Sequence, residues 1–356
     1  MSAFDVGRLE LKGAMTPIVD AVAMAAVGAT GAMQAAVSDA GSLVYLPAAQ
    51  GQVTTVAWRS RSAVETLIPL PAHAYDMPRV SPDGRRIAIH SSDQDNDIWI
   101  WDIAAETLTR LTFGRSQDSF PVWTTDGKRV IYVGIADGEP NLLWKAADGT
   151  GQQEPLLAKP PGGNPALVAN GVTPDGKFLI YSIGTPADII VLPLDGDRRP
   201  RPLLANPQYA ERGGQISPDG RWLAYNSDES GAFQVYVRPF PNVEQGRWQV
   251  SSDGGLLPIW APNGRELFYI NGENQVMGVP IQAGASFSFG RPAMVFDHSD
   301  RPPSAYRNYE ITPDGSRFVI VKESQRSRAT QFVATINWFA ELQERVPVGG
   351  RRATSR

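Results

Sequence analysis

Hydrophobic and polar positions along this chain alternate in short runs rich in β-branched and aromatic residues, each run stopped by Pro, Asp, Asn or Gly. The stretch Ser217-Pro218-Asp219-Gly220-Arg221-Trp222-Leu223-Ala224-Tyr225 shows the unit: a turn followed by a strand. Proline presets φ for the first corner, aspartate tolerates the next, and Gly220 supplies the positive φ that closes a tight hairpin. The turn glycine recurs at Gly41, Gly84, Gly127, Gly176, Gly220, Gly264 and Gly315, with spacings of 43, 43, 49, 44, 44 and 51 residues. Six copies keep the flanks Ser/Thr/Ala-Pro/Thr-Asp/Asn-Gly; Asp39-Ala40-Gly41-Ser42 is degenerate.

Each period also supplies a third strand, such as Ile98 to Trp101, Leu142 to Trp144, Ile189 to Leu192 or Val235 to Val237, and a shorter fourth. Candidates for the fourth are Thr66 to Ile68, Leu108 to Leu111, Pro155 to Leu157, Pro202 to Leu204, Trp248 to Val250 and Met294 to Phe296. A period of about 40 to 45 residues with four strands marks a propeller blade, whereas the strands of a sandwich carry no such internal repeat. The expected fold is therefore an all-β propeller of seven four-stranded blades, with six or eight as alternatives. One domain is expected over residues 1–345, with a flexible tail at 346–356. The parallel between Phe4 to Asp20 and Phe287 to Asp297 suggests that the N-terminal stretch supplies the strand missing after Phe332 to Trp338. Such pairing closes the ring and removes sheet edges. A mid-repeat start also fits a piece of a longer chain.

The composition agrees: 34 Gly and 29 Pro against 20% charged residues favour many turns over long helices. A net charge of -4 offers no basic stripe for nucleic acid. With no cysteine, disulfides, thiolate nucleophiles and cysteine-type zinc sites are excluded. Ile18 to Val37 is nearly uncharged, but it is mostly Ala and Gly with no leucine-rich core, so it reads as strand and loop rather than signal or membrane segment.

These repeats resemble the TolB-like, WD-repeat-like β-propeller family across nearly the whole chain. More narrowly, Asp97-Ile98-Trp99-Ile100-Trp101-Asp102, Leu108 to Phe113, Ser217 to Ser230 and Val235 to Pro241 resemble the propeller that follows the kinase domain of bacterial eukaryote-like serine/threonine kinases. That resemblance implies a sensor or interaction domain, periplasmic or extracytoplasmic; without it the expected location is cytoplasmic. No glycine-rich phosphate loop, His-Arg-Asp or Asp-Phe-Gly occurs, so this stretch is expected to carry no kinase chemistry of its own.

Chemistry is sparse. There is no Gly-x-Ser-x-Gly elbow, and His73, His90 and His298 fall in different repeats without an identified partner. Asp93, Asp95 and Asp97 are spaced like the start of a calcium loop, but Ile98 and Ala104 stand where such a loop needs glycine and glutamate, leaving them weak metal candidates and a solvated turn the simpler reading. The tryptophans fall on strand patterns and are expected to pack between blades. Polar, aromatic segments enter each first strand, which in a propeller lines one channel mouth. From these come the candidate ligand residues Asp76, Arg79, Asp118, Glu211, Arg212, Arg307 and Tyr309. The arginines suit a carboxylate or phosphate, and the same charges also suit a purely structural network. The function expected is non-catalytic recognition of a protein, peptide or small ligand, without cofactor, nucleic acid or membrane insertion. The alternatives are a hydrolase or lyase using the channel, and a plain scaffold.

Overall fold

The computed structural model describes residues 3–5, 10–12, 35–46, 54–92, 96–114, 116–136, 139–157, 165–283, 286–301, 304–323, 332–336 and 338–339. The chain divides into two compact units, Val53–Ser324 and a second formed by Met1–Gln52 with Gln325–Arg356. The larger unit is the propeller.

Six antiparallel sheets make it up. Blade 1 runs Tyr75–Val80, Arg86–Ser91, Asp97–Asp102 and Thr107–Arg110. Blade 2 runs Gln117–Trp123, Arg129–Ala136, Glu139–Ala146 and Glu154–Pro155. Blade 3 is Leu167–Val172, Phe178–Ile183, Asp188–Pro193 and Arg201–Leu204. Blade 4 is Glu211–Ile216, Trp222–Ser227, Gln234–Pro239 and Trp248–Gln249. In blade 5, Leu256–Trp260, Glu266–Ile270, Gln275–Ala283 and Ala293–Asp297 pair in turn, and Phe287–Phe289 adds to the far end of the third strand.

Blade 6 joins both ends of the unit. Tyr309–Ile311 and Arg317–Glu323 give its first two strands, and Thr54–Ser60 with Glu65–Leu67 give the third and fourth. Arg317–Glu323 pairs antiparallel with Thr54–Ser60 from Arg317 opposite Ser60 to Glu323 opposite Thr54. Terminal closure was expected, but its strand comes from a different place. Ala3–Asp5 pairs with Glu10–Lys12, and residues 6–9 and 13–20 lie outside the described set. Thr54–Ser60 suits the position as a strand covered on both faces: Val56, Ala57 and Trp58 are all buried against blades 1, 5 and 6. The count among the described residues is thus six, the alternative given above, not seven. The degenerate copy at Gly41 turns instead within a three-stranded sheet of the smaller unit, Ala35–Val37, Leu43–Tyr45 and Val333–Thr335. It keeps the hydroxyl, Ser38 Oγ accepting the Ser42 N–H at 3.0 Å, but Asp39 and Ala40 replace the proline and the aspartate of the blade turns. The uncharged stretch 18–37 falls outside the described residues up to position 34, as does Glu341 to Arg345. Among the described residues no helix is long and apolar enough to cross a membrane.

The turns are built alike. In blade 1 the Ser81 hydroxyl donates to Asp83 Oδ1 at 2.6 Å, Asp83 Oδ1 accepts the Arg85 N–H at 3.1 Å, and Ser81 Oγ accepts the Arg86 N–H at 2.9 Å. Thr124 with Asp126, Thr173 with Asp175, Ser217 with Asp219 and Thr312 with Asp314 repeat the hydroxyl-to-carboxylate bond. Those bonds hold Asp83, Asp126, Asp175 and Asp314 below the usual carboxylate range; for Asp219 burial pushes upward first, and the bonds from Ser217 and Arg221 outweigh it. Neighbouring turns stack, so that Gly127 faces Pro82, Gly264 faces Pro218, Gly315 faces Pro262 and Gly84 faces Pro313. The last of these contacts runs from blade 1 to blade 6 and completes the ring.

Tryptophans link blades as expected. The Trp123 indole of blade 2 donates to the Arg79 carbonyl of blade 1 at 2.9 Å, and Trp260 of blade 5 donates to the Gln215 carbonyl of blade 4 at 3.1 Å. Arginines cover others: Arg317 lies 3.9 Å from the Trp58 ring centroid and Arg129 4.1 Å from that of Trp144.

Gly220 has φ of 74° and no atom within 4 Å of where a Cβ would stand, so substitution there meets only backbone strain. Gly220→Val is expected to destabilise by about 1 to 3 kcal/mol, read as a lower unfolding midpoint in denaturant. Because closure uses Thr54–Ser60, removing residues 1–20 is expected to leave the propeller's melting midpoint unchanged. Removal through Leu67 should abolish its cooperative transition; a large loss on the shorter deletion would contradict this closure.

Candidate functional site

All six blades contribute to one cavity of about 410 Å3 at a channel mouth. The innermost strands bring Arg79, Phe120, Val168, Arg212 and Leu257, and the segment entering blade 6 brings Tyr306 and Arg307. Asp228, from the loop after the second strand of blade 4, completes the charged part of the wall.

A shared irregularity aims these side chains. The first strand of blades 1 to 5 slips register against the second between Asp76 and Arg79, Ser119 and Val122, Ala169 and Gly171, Arg212 and Gln215, and Leu256 and Ile259. A bulge bends a strand and re-aims its neighbours. In four of the five it holds a residue in the left-handed region: Met77 at φ of 54°, Phe120 at 56°, Gly213 at 70° and Leu257 at 58°. For the three residues with a side chain this stores about 1 to 3 kcal/mol each, a cost found most often at binding and catalytic sites. Gly213 is needed for space as well, since a Cβ there would come within 2.8 Å of Asn226 Oδ1.

The sequence candidates separate into two groups. Arg79, Arg212 and Arg307 stand together on the cavity wall. Arg79 is 6% exposed; its Nη1 donates to the Pro78 carbonyl at 2.8 Å and the Arg307 carbonyl at 3.2 Å. Burial, reinforced by Arg307, lowers its pKa to about 9, with Glu310 pulling the other way. Glu310 pairs with Arg307 Nη2 at 2.9 Å and stands 3.9 Å from Arg79 Nε, so one carboxylate serves two guanidiniums. Arg212 has no hydrogen bond or ion pair among the described residues. It lies 4.2 Å from the centroid of the Phe233 ring, and burial lowers its pKa while Asp228 opposes that shift.

The remaining candidates stand behind the wall or beside it. Asp76 pairs with Arg301 at 2.9 Å and accepts the Met77 N–H at 2.8 Å. Asp118 is fully buried, which pushes its carboxyl up, and neither of its oxygens has a hydrogen bond among the described residues. Glu211 accepts the Asn206 N–H at 3.1 Å, and burial raises it. Tyr309 is buried and donates to the Leu257 carbonyl at 2.8 Å, tying blade 6 to blade 5. Asp93 and Asp95 lie outside the described residues; Asp97 is buried, paired with Arg110 and bonded by the Thr112 hydroxyl at 3.0 Å.

Phe120 and Tyr306 belong to the polar, aromatic segments expected at the mouth but not to the candidate ligand residues, and Asp228 lies in a stretch that reads from the sequence as a solvated turn. The Phe120 and Tyr306 rings meet edge to face at 4.8 Å across the mouth. A signal for the bulge was present, since Pro78, Pro121 and Pro258 each stand six residues before a turn glycine, inside what otherwise reads as a strand.

No family profile matches the chain. An uncharacterised protein of Agrobacterium fabrum is 25% identical over 216 residues, covering 58% of this chain and 69% of the relative. Among solved structures, the TolB-type protein of Agrobacterium tumefaciens superposes with a TM-score of 0.61 at 18% identity, over 76% of this chain and 98% of that one. A manganese complex of oligogalacturonate lyase gives 0.52 at 12% identity, over 82% and 96%. The chain shares the fold of TolB-like β-propellers. That fold is used by enzymes as well as by proteins with no catalytic name.

None of the three histidines lines the cavity. His298 is buried outside the cavity lining, with Nε2 3.2 Å from Asn308 Oδ1 and Nδ1 3.6 Å from Asp300. Burial lowers its pKa below 6.5; Asn308 and Asp300 oppose this, and Arg301 and Arg59 reinforce it. Nearby Lys322 is engaged by Asp300 and Glu65, each at 2.9 Å. A lowered pKa means the unfolded chain takes up the proton first, so the His298 contribution is complete above pH 6.5 and is lost as pH falls below it. The melting midpoint should drop between pH 7.5 and 5.5, and His298→Gln should flatten that part of the profile while lowering stability at the higher pH.

Proposed function

We propose that this chain is a non-catalytic recognition propeller that holds a peptide, a protein segment or a small ligand in the mouth cavity. The observation that carries the reading is a cavity walled by all six blades in which Arg212 is left without a hydrogen bond or ion pair among the described residues. Charged side chains in a preformed, mostly apolar recess fix the orientation of a bound group. Arginine presents a fork of donors suited to that task. Strain at Met77, Phe120 and Leu257 supports the same reading, because it is concentrated where the wall is shaped.

The likeness of Asp97 to Asp102, Ser217 to Ser230 and Val235 to Pro241 to kinase-linked propellers supports a sensor role, with the mouth as input and a larger bacterial kinase as the parent architecture. The described wall offers arginines, one aspartate, amides and the hydroxyls of Ser182, Thr185 and Tyr306, a set better suited to holding a ligand than to moving a proton.

An array of random peptides, immobilised in parallel through either end, tests the reading. Wild-type protein is expected to be retained by a defined subset, and Ala166→Trp, which fills the rim of the cavity, should lose that retention without a change in melting midpoint. Equal retention of the blocked variant overturns the mouth as the site.

A further inference from the structure

We infer that the mouth cavity recognises the free carboxylate end of an apolar peptide, with Arg212 as the carboxylate receptor. This rests on the reading of the mouth as a recognition site and gives that site a ligand class.

The first support is charge. Three guanidiniums face Asp228 and the shared Glu310, so the wall keeps positive charge in excess. Arg79 and Arg307 are largely committed: one donates to two backbone carbonyls and the other holds Glu310. Arg212 has no hydrogen bond or ion pair among the described residues, and its guanidinium lies over the Phe233 ring, 4.2 Å from the centroid. A half-buried cation of this kind is stabilised by an incoming anion, and a planar fork matches a carboxylate with two parallel hydrogen bonds.

Asp228 then separates a carboxylate from a phosphate. It lines the same wall and acts on Arg212 electrostatically. Its Oδ1 accepts the Ala210 N–H at 2.8 Å, and its second oxygen has no hydrogen bond among the described residues. A dianion at Arg212 meets repulsion from that carboxylate. A chain end carries one negative charge with an amide N–H a few bonds away, which gives Arg212 its anion and Asp228 its donor together. Val168, Pro186, Pro258 and Phe120 supply an apolar wall for the last side chain. At about 410 Å3 the recess lies toward the small end of the roughly 300 to 1,000 Å3 range of ligand pockets, the scale of a chain terminus rather than a folded surface.

The test uses the full chain and pools of N-acetylated apolar tripeptides, made as free acids and as C-terminal amides, with binding read by ligand-observed NMR and calorimetry. The free acids should bind, amidation should weaken binding at least about tenfold, and Arg212→Gln should do the same. In Arg212→Gln the two forms should bind equally weakly, while Arg199→Gln, at an exposed site away from the cavity, should behave as wild type. Melting midpoints confirm that each variant is folded. Equal binding of acids and amides overturns the carboxylate inference and leaves mouth recognition standing. Displacement of the free acids by inorganic phosphate at lower concentration than by acetate overturns the preference for a carboxylate. If neither pool binds, the inference fails, and array retention lost in Ala166→Trp shows whether the mouth still recognises some other group.

Discussion

Everything in the larger unit depends on one ladder, the antiparallel pairing of Arg317–Glu323 with Thr54–Ser60. Ala57, Val319, Ile320 and Val321 at its centre are wholly buried. Without it, blade 6 is a bare two-stranded ribbon, and the open edge of Arg317–Glu323 presents unpaired backbone groups to any other strand. With it, the ring is fixed, six innermost strands converge, and a mouth exists to be lined.

The two ends of those strands follow different rules. At the turn end, a hydroxyl, a carboxylate and a left-handed glycine recur in five of the six blades, each satisfying its own backbone donors, and most of the turns pack against a neighbouring one. At the other end, equivalent positions differ: Asp76, Ser119, Val168, Arg212, Leu256 and Arg307 all stand eight residues before their turn glycine. Two arginines in this set, Arg212 of blade 4 and Arg307 at the entry to blade 6, line the cavity with Arg79 of blade 1. Folding demands uniformity on one side and leaves the other open to chemical choice.

This division explains what was legible in the sequence. The turn unit is local, so Ser217 to Tyr225 and its copies disclosed the strands and the fold class directly. Blade number and closure are long-range matters. Gly41 has the spacing of a blade turn yet lies in the smaller unit, and Phe4 to Asp20 resembles a blade segment while Thr54–Ser60 takes the place in the ring. The separation of Arg79, Arg212 and Arg307 from Asp118, Glu211 and Tyr309 was beyond reach too, because alternate positions on a strand exchange faces at a bulge. Asp228 lies in Ser227 to Gly231, which reads from the sequence as a solvated turn; its loop is brought to the wall only by the fold.

The closing ladder has a mechanical side. Thr54 pairs with Glu323 and Ser60 with Arg317, so the chain enters and leaves the ring at the same end of the same pair of strands. Tension on the two flanking segments falls on the Thr54–Glu323 rung first and parts the hydrogen bonds one after another, instead of shearing them together. The clasp that makes the ring cooperative toward heat and denaturant is therefore a zip toward force, and a pull through these two connections opens blade 6 before it disturbs the other five.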